Sequence, residues 1–143
     1  MCIIYENRLS ESVGYQEIEH LSDRAIRVTS KTLEGLFVDA AAGMYFIMDV
    51  HCSNDTVSRE LSLGGMDLES LLVGFLSECL NVAELENLAL RSAVISFTGN
   101  RCTAAMTLSP IQQKTENIKA VTFSEMNILK HNGGFETIVV FDL

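Results

Sequence analysis

The sequence predicts an α+β fold: a single domain in which a mostly antiparallel β-sheet packs with two main helices. Three observations predict it. Two segments, "TLEGLFVDAAAGMYFIMDV" (32–50) and "MDLESLLVGFLSECLNVAE" (66–84), repeat apolar residues at three- and four-residue intervals, the spacing of one helical face. Shorter runs alternate apolar and polar residues with the period of a half-buried strand. Beyond the second helical segment the runs are joined by short turn signals rather than further helices, which favours antiparallel pairing over a doubly wound parallel sheet. With 143 residues, 48% of them hydrophobic, the chain has the size for one core, read as residues 15–143 preceded by an arm or added strand over 1–14.

The elements follow in order. From Tyr15 to Thr29 the pattern is extended, and in "RAIRVTS" Ile26 and Val28 alternate with Arg27 and Thr29, so Asp23 falls where that strand starts. Thr32 is suited to N-cap the first helix, whose Leu33, Leu36, Phe37, Ala40, Ala41, Met44 and Met48 form a core face. Val57, Leu61 and Leu63 mark a strand that the pair Gly64 and Gly65 ends. In the second helix Asp67 is the expected cap, and Leu68, Leu71, Leu72, Phe75, Leu76 and Cys79 make the apolar face. Gly74 in its middle costs helix stability, which close packing would justify. A hairpin then turns near Gly99 and Asn100, and a last pair, "IKAVTFSEMNIL" and "FETIVVFDL", joins across His131 to Gly134. Two helices and about seven strands result.

Composition excludes several functions. A formal net charge of −9 argues against a general nucleic-acid footprint, so any connection to RNA should run through another protein. The most apolar helical stretch, Leu36 to Val50, is interrupted by Asp39 and Asp49 and is too short for a membrane span. "MCIIYENRLSE" lacks the features of a secretory signal, and a cytoplasmic protein is expected. Cys2, Cys52, Cys79 and Cys102 have no CxxC pairing and no histidine at zinc-ligand spacing, so reduced thiols are expected rather than a zinc site or disulfide framework. Neither a GxSxG nucleophile elbow nor a phosphate-binding glycine loop is present, which argues against an enzyme of those kinds.

Four pieces stand out: "HLSD" (20–23), "KTLEGLFVDAAAGMYFIM" (31–48), "KAVTF" (119–123) and the closing "FDL" (141–143). Each has a plain reading by itself. Asp23 would cap a turn, Lys119 would be a surface lysine, Asp142 and Leu143 a solvated end, and His20 a hydrogen-bonding residue that orients the Asp23 loop. As an ordered set from about Tyr15 to Leu143 they resemble the archease family, whose members carry a His-Thr-Ala-Asp segment, a Lys-Thr-Leu-Glu-x-Leu-Phe helix, a Lys-Ala-Val/Ile-Thr-Tyr run and an Asp followed by a final aliphatic residue. The resemblance implies a cytoplasmic protein that is not an enzyme. It would serve the RNA-splicing ligase that joins 3′-phosphate to 5′-hydroxyl ends, promoting guanylylation of the ligase histidine and multiple turnover, and it would meet RNA only through that ligase, in tRNA splicing or RNA repair. It also implies a divalent cation, calcium in the family, held by Asp23, Asp142 and the carboxylate of Leu143, with Lys119 acting in ligase activation.

The chemistry of these residues accords with that expectation. If the strand after Asp23 neighbours the last strand, three negative charges converge, and oxygen-only donors suit calcium, magnesium or manganese rather than zinc. Leu21, Ser22, Phe123 and Ser124 depart from the common family pattern while the acidic residues and the lysine keep it. A general chaperone-like binding module is the alternative reading, and a metal-dependent phosphoester hydrolase a third, short of a general base.

Overall fold

The computed structural model describes residues 14–20 and 23–143. The expected arm over 1–14 lies outside the described residues apart from Gly14, as do Cys2, Leu21 and Ser22. The described elements run β1 (Tyr15–Ile18), β2 (Arg24–Ser30), α1 (Leu33–Met48), β3 (His51–Cys52), β4 (Val57–Gly64), α2 (Leu68–Glu86), β5 (Leu88–Thr98), β6 (Arg101–Gln113), β7 (Ala120–Thr122), β8 (Leu129–His131) and β9 (Gly134–Asp142). Every strand pairing is antiparallel.

The strands form two sheets where a sheet was expected. In the first, the order is β1-β2-β9-β7, with β8 also on β9; in the second, β6 is central, with β5 on one side and β4 and β3 on the other. The strand count reaches nine among the described residues for two reasons: β3 is a two-residue strand, and the expected arm 118–129 is split. Its ends, β7 and β8, pair with opposite ends of β9, and a turn closed by Met126 N–H donating to Phe123 O interrupts them. Asn132 and Gly133, both at positive φ, make the tight β8–β9 turn.

Both helices start as their sequences dictate. The Thr32 hydroxyl accepts from Gly35 N–H at 2.9 Å and the Asp67 carboxylate from Ser70 N–H at 2.8 Å, so each cap satisfies a donor that helix geometry leaves open. Helix α1 lies on β1, β2 and β9 and reaches β5, while α2 lies on β4, β5 and β6 and reaches β7, so the helices join the two sheets. Phe37 of α1 packs on Phe75 of α2 and on Phe97 of β5, and Tyr45 places its hydroxyl 2.8 Å from Leu90 N–H across the same interface. Met44, Met48 and Cys79 are core residues, and burial pushes the Cys79 thiol up to about 12. Asp39 is also buried: a Cβ on Gly14 would lie 2.0 Å from its carboxylate, so only glycine lets the chain enter β1 there.

Gly74 does not mark close packing. A Cβ there would sit 3.6 Å from Leu63 Cδ1, an ordinary contact.

Candidate metal centre at the ends of β2 and β9

Burial of one face draws β2 and β9 together. Ile26 and Val28 of β2 and Val139 and Phe141 of β9 are core residues on the α1 side, and matching these alternations fixes the register, with Arg24 opposite Phe141 and Ile26 opposite Val139. Asp23 and Asp142 are each one residue beyond that last pair, so the register places them at the same end of adjacent strands. By the alternation of side chains Asp142 belongs to the face away from α1, while Asp23 lies in the bend just before β2. Asp142 is exposed and Asp23 half-buried. The Leu143 side chain points the other way, into partial burial against the core, which anchors the strand tip.

Strand β7 completes this end. Ala120 pairs with Asp142, and Lys119 N–H donates to the Asp142 main-chain oxygen at 2.7 Å, so Lys119 is tied to the tip through the backbone. It lines a cleft of about 350 Å³ between α2 and the β6–β7 connection, together with Leu80, Asn81, Glu84 and Asn117. Among the described residues Lys119 forms no ion pair, whereas its neighbour in that cleft, Glu84, is 3.5 Å from Lys114. The structure thus brings Asp23, Asp142 and Leu143 to one end of the sheet and sets Lys119 beside them on the helix side.

Arg24 stiffens the same end. Its guanidinium forks onto Glu17 of β1 at 2.7 and 2.8 Å and lies 3.9 Å from Glu116, which precedes β7. Hydrogen bonding to Arg24 holds the Glu17 carboxyl below the usual carboxylate range. His20 sits between β1 and Asp23, and its Nε2 is 2.6 Å from Glu125 Oε2 in the turn after β7. Sequence reasoning singled out His20 but missed both Glu125 and Arg24, since an Arg beside a strand start and a Glu in "FSEMN" carry no local signal of partnership.

Among the described residues no three His, Cys, Asp or Glu side chains group closely enough to hold a metal ion. The donors that the strand ends can offer are therefore two carboxylates and a main-chain oxygen of Leu143. That all-oxygen set fits a hard divalent cation in chemistry while filling only part of the six to eight positions calcium takes.

The chain matches the model of the Archease protein family over residues 15–143. It is 31% identical to the protein archease of Methanosarcina barkeri, covering 94% of this chain and 99% of that one, and 30% identical to that of Pyrococcus abyssi over 81% and 88%. The fold is shared with two solved structures. One is a Thermotoga maritima archease described as a "possible chaperone" (TM-score 0.68, 22% identity, 90% and 96% covered), and the other is protein 1598 of Methanobacterium thermoautotrophicum (0.70, 23%, 92% and 100%). Among the described residues no helix is long and apolar enough to cross a membrane. Tip, register and ordered motifs thus occur together in a chain that belongs to the archease family.

Proposed function

We propose that this protein is a non-catalytic accessory factor of an RNA-splicing ligase: it promotes guanylylation of the ligase histidine and repeated turnover through a divalent-cation site at the ends of β2 and β9. Family membership supports the reading, and the single observation that carries it to residues is the register that sets Asp23 level with Asp142. Asp23, Asp142 and a main-chain oxygen of Leu143 are the proposed ligands. Calcium, magnesium or manganese bound there would neutralise the acidic tip and accept further oxygens from water or from the ligase. The chain's own part is positional. β2 and β9 bring the two carboxylates to the same end of the sheet, the Leu143 side chain seats the tip, and Lys119 presents an uncompensated cation beside it for a carboxylate or phosphate of the partner complex.

The test is guanylylation of the cognate ligase under limiting divalent metal. Wild type should stimulate it, and Asp23→Ala, Asp142→Ala and Lys119→Ala, each still folded, should lose most of that stimulation. Equal stimulation by the folded variants would refute the assignment. The description of the Thermotoga maritima protein favours a second reading, a chaperone-like binding module. Suppressed aggregation of unrelated clients, unaffected by Asp142→Ala, would select it.

A further inference from the structure

Two connections meet in a contact that strand pairing does not require. His20 follows β1, Glu125 follows β7, and these strands lie at opposite ends of the path β1-β2-β9-β7. The 2.6 Å contact between His20 Nε2 and Glu125 Oε2 therefore spans the two strands that carry Asp23 and Asp142 at their tips. Ala25 and Val140, paired across those strands and on the face away from α1, have 0% and 1% exposure, so that face is closed over beside the tips.

The backbone at Glu125 is unusual. Its φ is +62°, the left-handed region that costs a side chain bearing a Cβ. The other described non-glycine residues at positive φ have local reasons: Asp49 and Asn87 end α1 and α2, and Asn132 precedes Gly133 in a hairpin turn. Glu125 is the third residue of the turn from Phe123 to Met126, a place that glycine ordinarily fills. A strained glutamate kept where glycine would relax the chain points to work done by its carboxylate. Among the described residues His20 Nδ1 is buried without a hydrogen-bond partner, so Nε2–H donating to Glu125 is the one hydrogen bond that orients the imidazole there.

Asp23 needs such an anchor. It lies past Arg24, the last β2 residue paired with β9, so no ladder bond fixes it. We infer that Glu125 is a positioning residue of the strand-end site: it clasps His20, three residues before Asp23, to the β7–β8 turn and thereby keeps Asp23 level with Asp142. The consequence for metal rests on the proposed function; the clasp itself does not.

Glu125→Gly separates the two. Glycine suits the turn, so the variant should melt no lower than wild type, yet amide exchange at Arg24 and Ala25 should quicken about tenfold once His20 is released. Calcium affinity, measured by titration calorimetry with calcium alone, should fall about tenfold for the same reason. His20→Leu, which leaves the turn untouched and cannot donate to Glu125, should reproduce both effects. Unchanged exchange in both variants overturns the clasp. Quickened exchange with unaltered calcium affinity overturns its role in positioning Asp23. A wild type that binds no calcium overturns the proposed metal site instead, and the exchange rates still decide the clasp.

Discussion

Apart from Gly133 in the β8–β9 turn, the glycines in the half built on α1 and the first sheet sit tighter against their neighbours than those in the half built on α2 and the second sheet. In the first half a Cβ on Gly43 would lie 2.5 Å from Ile26 Cδ1, and one on Gly134 would lie 2.7 Å from the Ser30 main-chain oxygen. In the second, a Cβ on Gly74 finds Leu63 at 3.6 Å and one on Gly99 finds nothing within 4 Å. Charge divides the same way. Asp23 and Asp142 put like charges at one end of the first sheet, whereas a depression on the second is lined by small neutral residues such as Ser92, Ala105 and Thr107 with the opposite charges of Arg59 and Glu60. The acidic tips are thus carried by the half whose glycines are packed more tightly, the support that a fixed spacing of the proposed ligands would require.

The largest expected effect would break the comparison outright. Asp142→Ala should abolish calcium binding measured by calorimetry, while Thr107→Ala on the second sheet should leave it unchanged; equal loss in both would mean that the division of labour is not real. Appending residues after Leu143 should also weaken calcium binding, because the added chain crowds Asp142. Next, Gly134→Ala should destabilise the fold by about 1–3 kcal/mol in urea unfolding, since its Cβ meets backbone that cannot step aside. Gly74→Ala should do the opposite and stabilise by about 0.5–1 kcal/mol, the ordinary gain of alanine over glycine inside a helix. The smallest effect concerns acid. Because Arg24 holds the folded Glu17 carboxyl below its unfolded value, the pair stabilises above the ordinary glutamate range and loses that contribution as pH falls through the depressed value. Arg24→Gln should narrow the stability difference between pH 7 and pH 3 by at most about 1 kcal/mol, as for other partly exposed pairs.

The two helices were legible because their signals are local. Thr32 and Asp67 cap where they stand, and the three-four spacing is written in consecutive residues. The division into two sheets was not, because it depends on which strand α1 and α2 each cover, and that is settled by packing between distant segments. Within the strand-end site, the ordered motifs named Asp23, Asp142, Leu143 and Lys119, and pairing of β2 with β9 accounts for the proximity of the first three. That Lys119 lines the α2 cleft depends on packing against a distant helix, and that Glu125 reaches His20 follows from a turn at Phe123 to Met126 that no residue in "FSEMN" announces. Glutamate is a poor marker of left-handed backbone, and the pattern of glycines gives no hint of it.

Strand β9 pairs with β2, β7 and β8, and its contact with β2 joins Arg24 to Phe141, residues separated by most of the chain. Closing so long a loop is an entropic barrier met late in folding, since nearby hairpins such as β5–β6 have far less chain to order. The acidic tips come together only when that barrier has been crossed. A cation that binds them therefore has no counterpart site in a partly folded chain, and by mass action it would stabilise the finished fold alone. Metal affinity in this protein would then double as a gauge of completed folding.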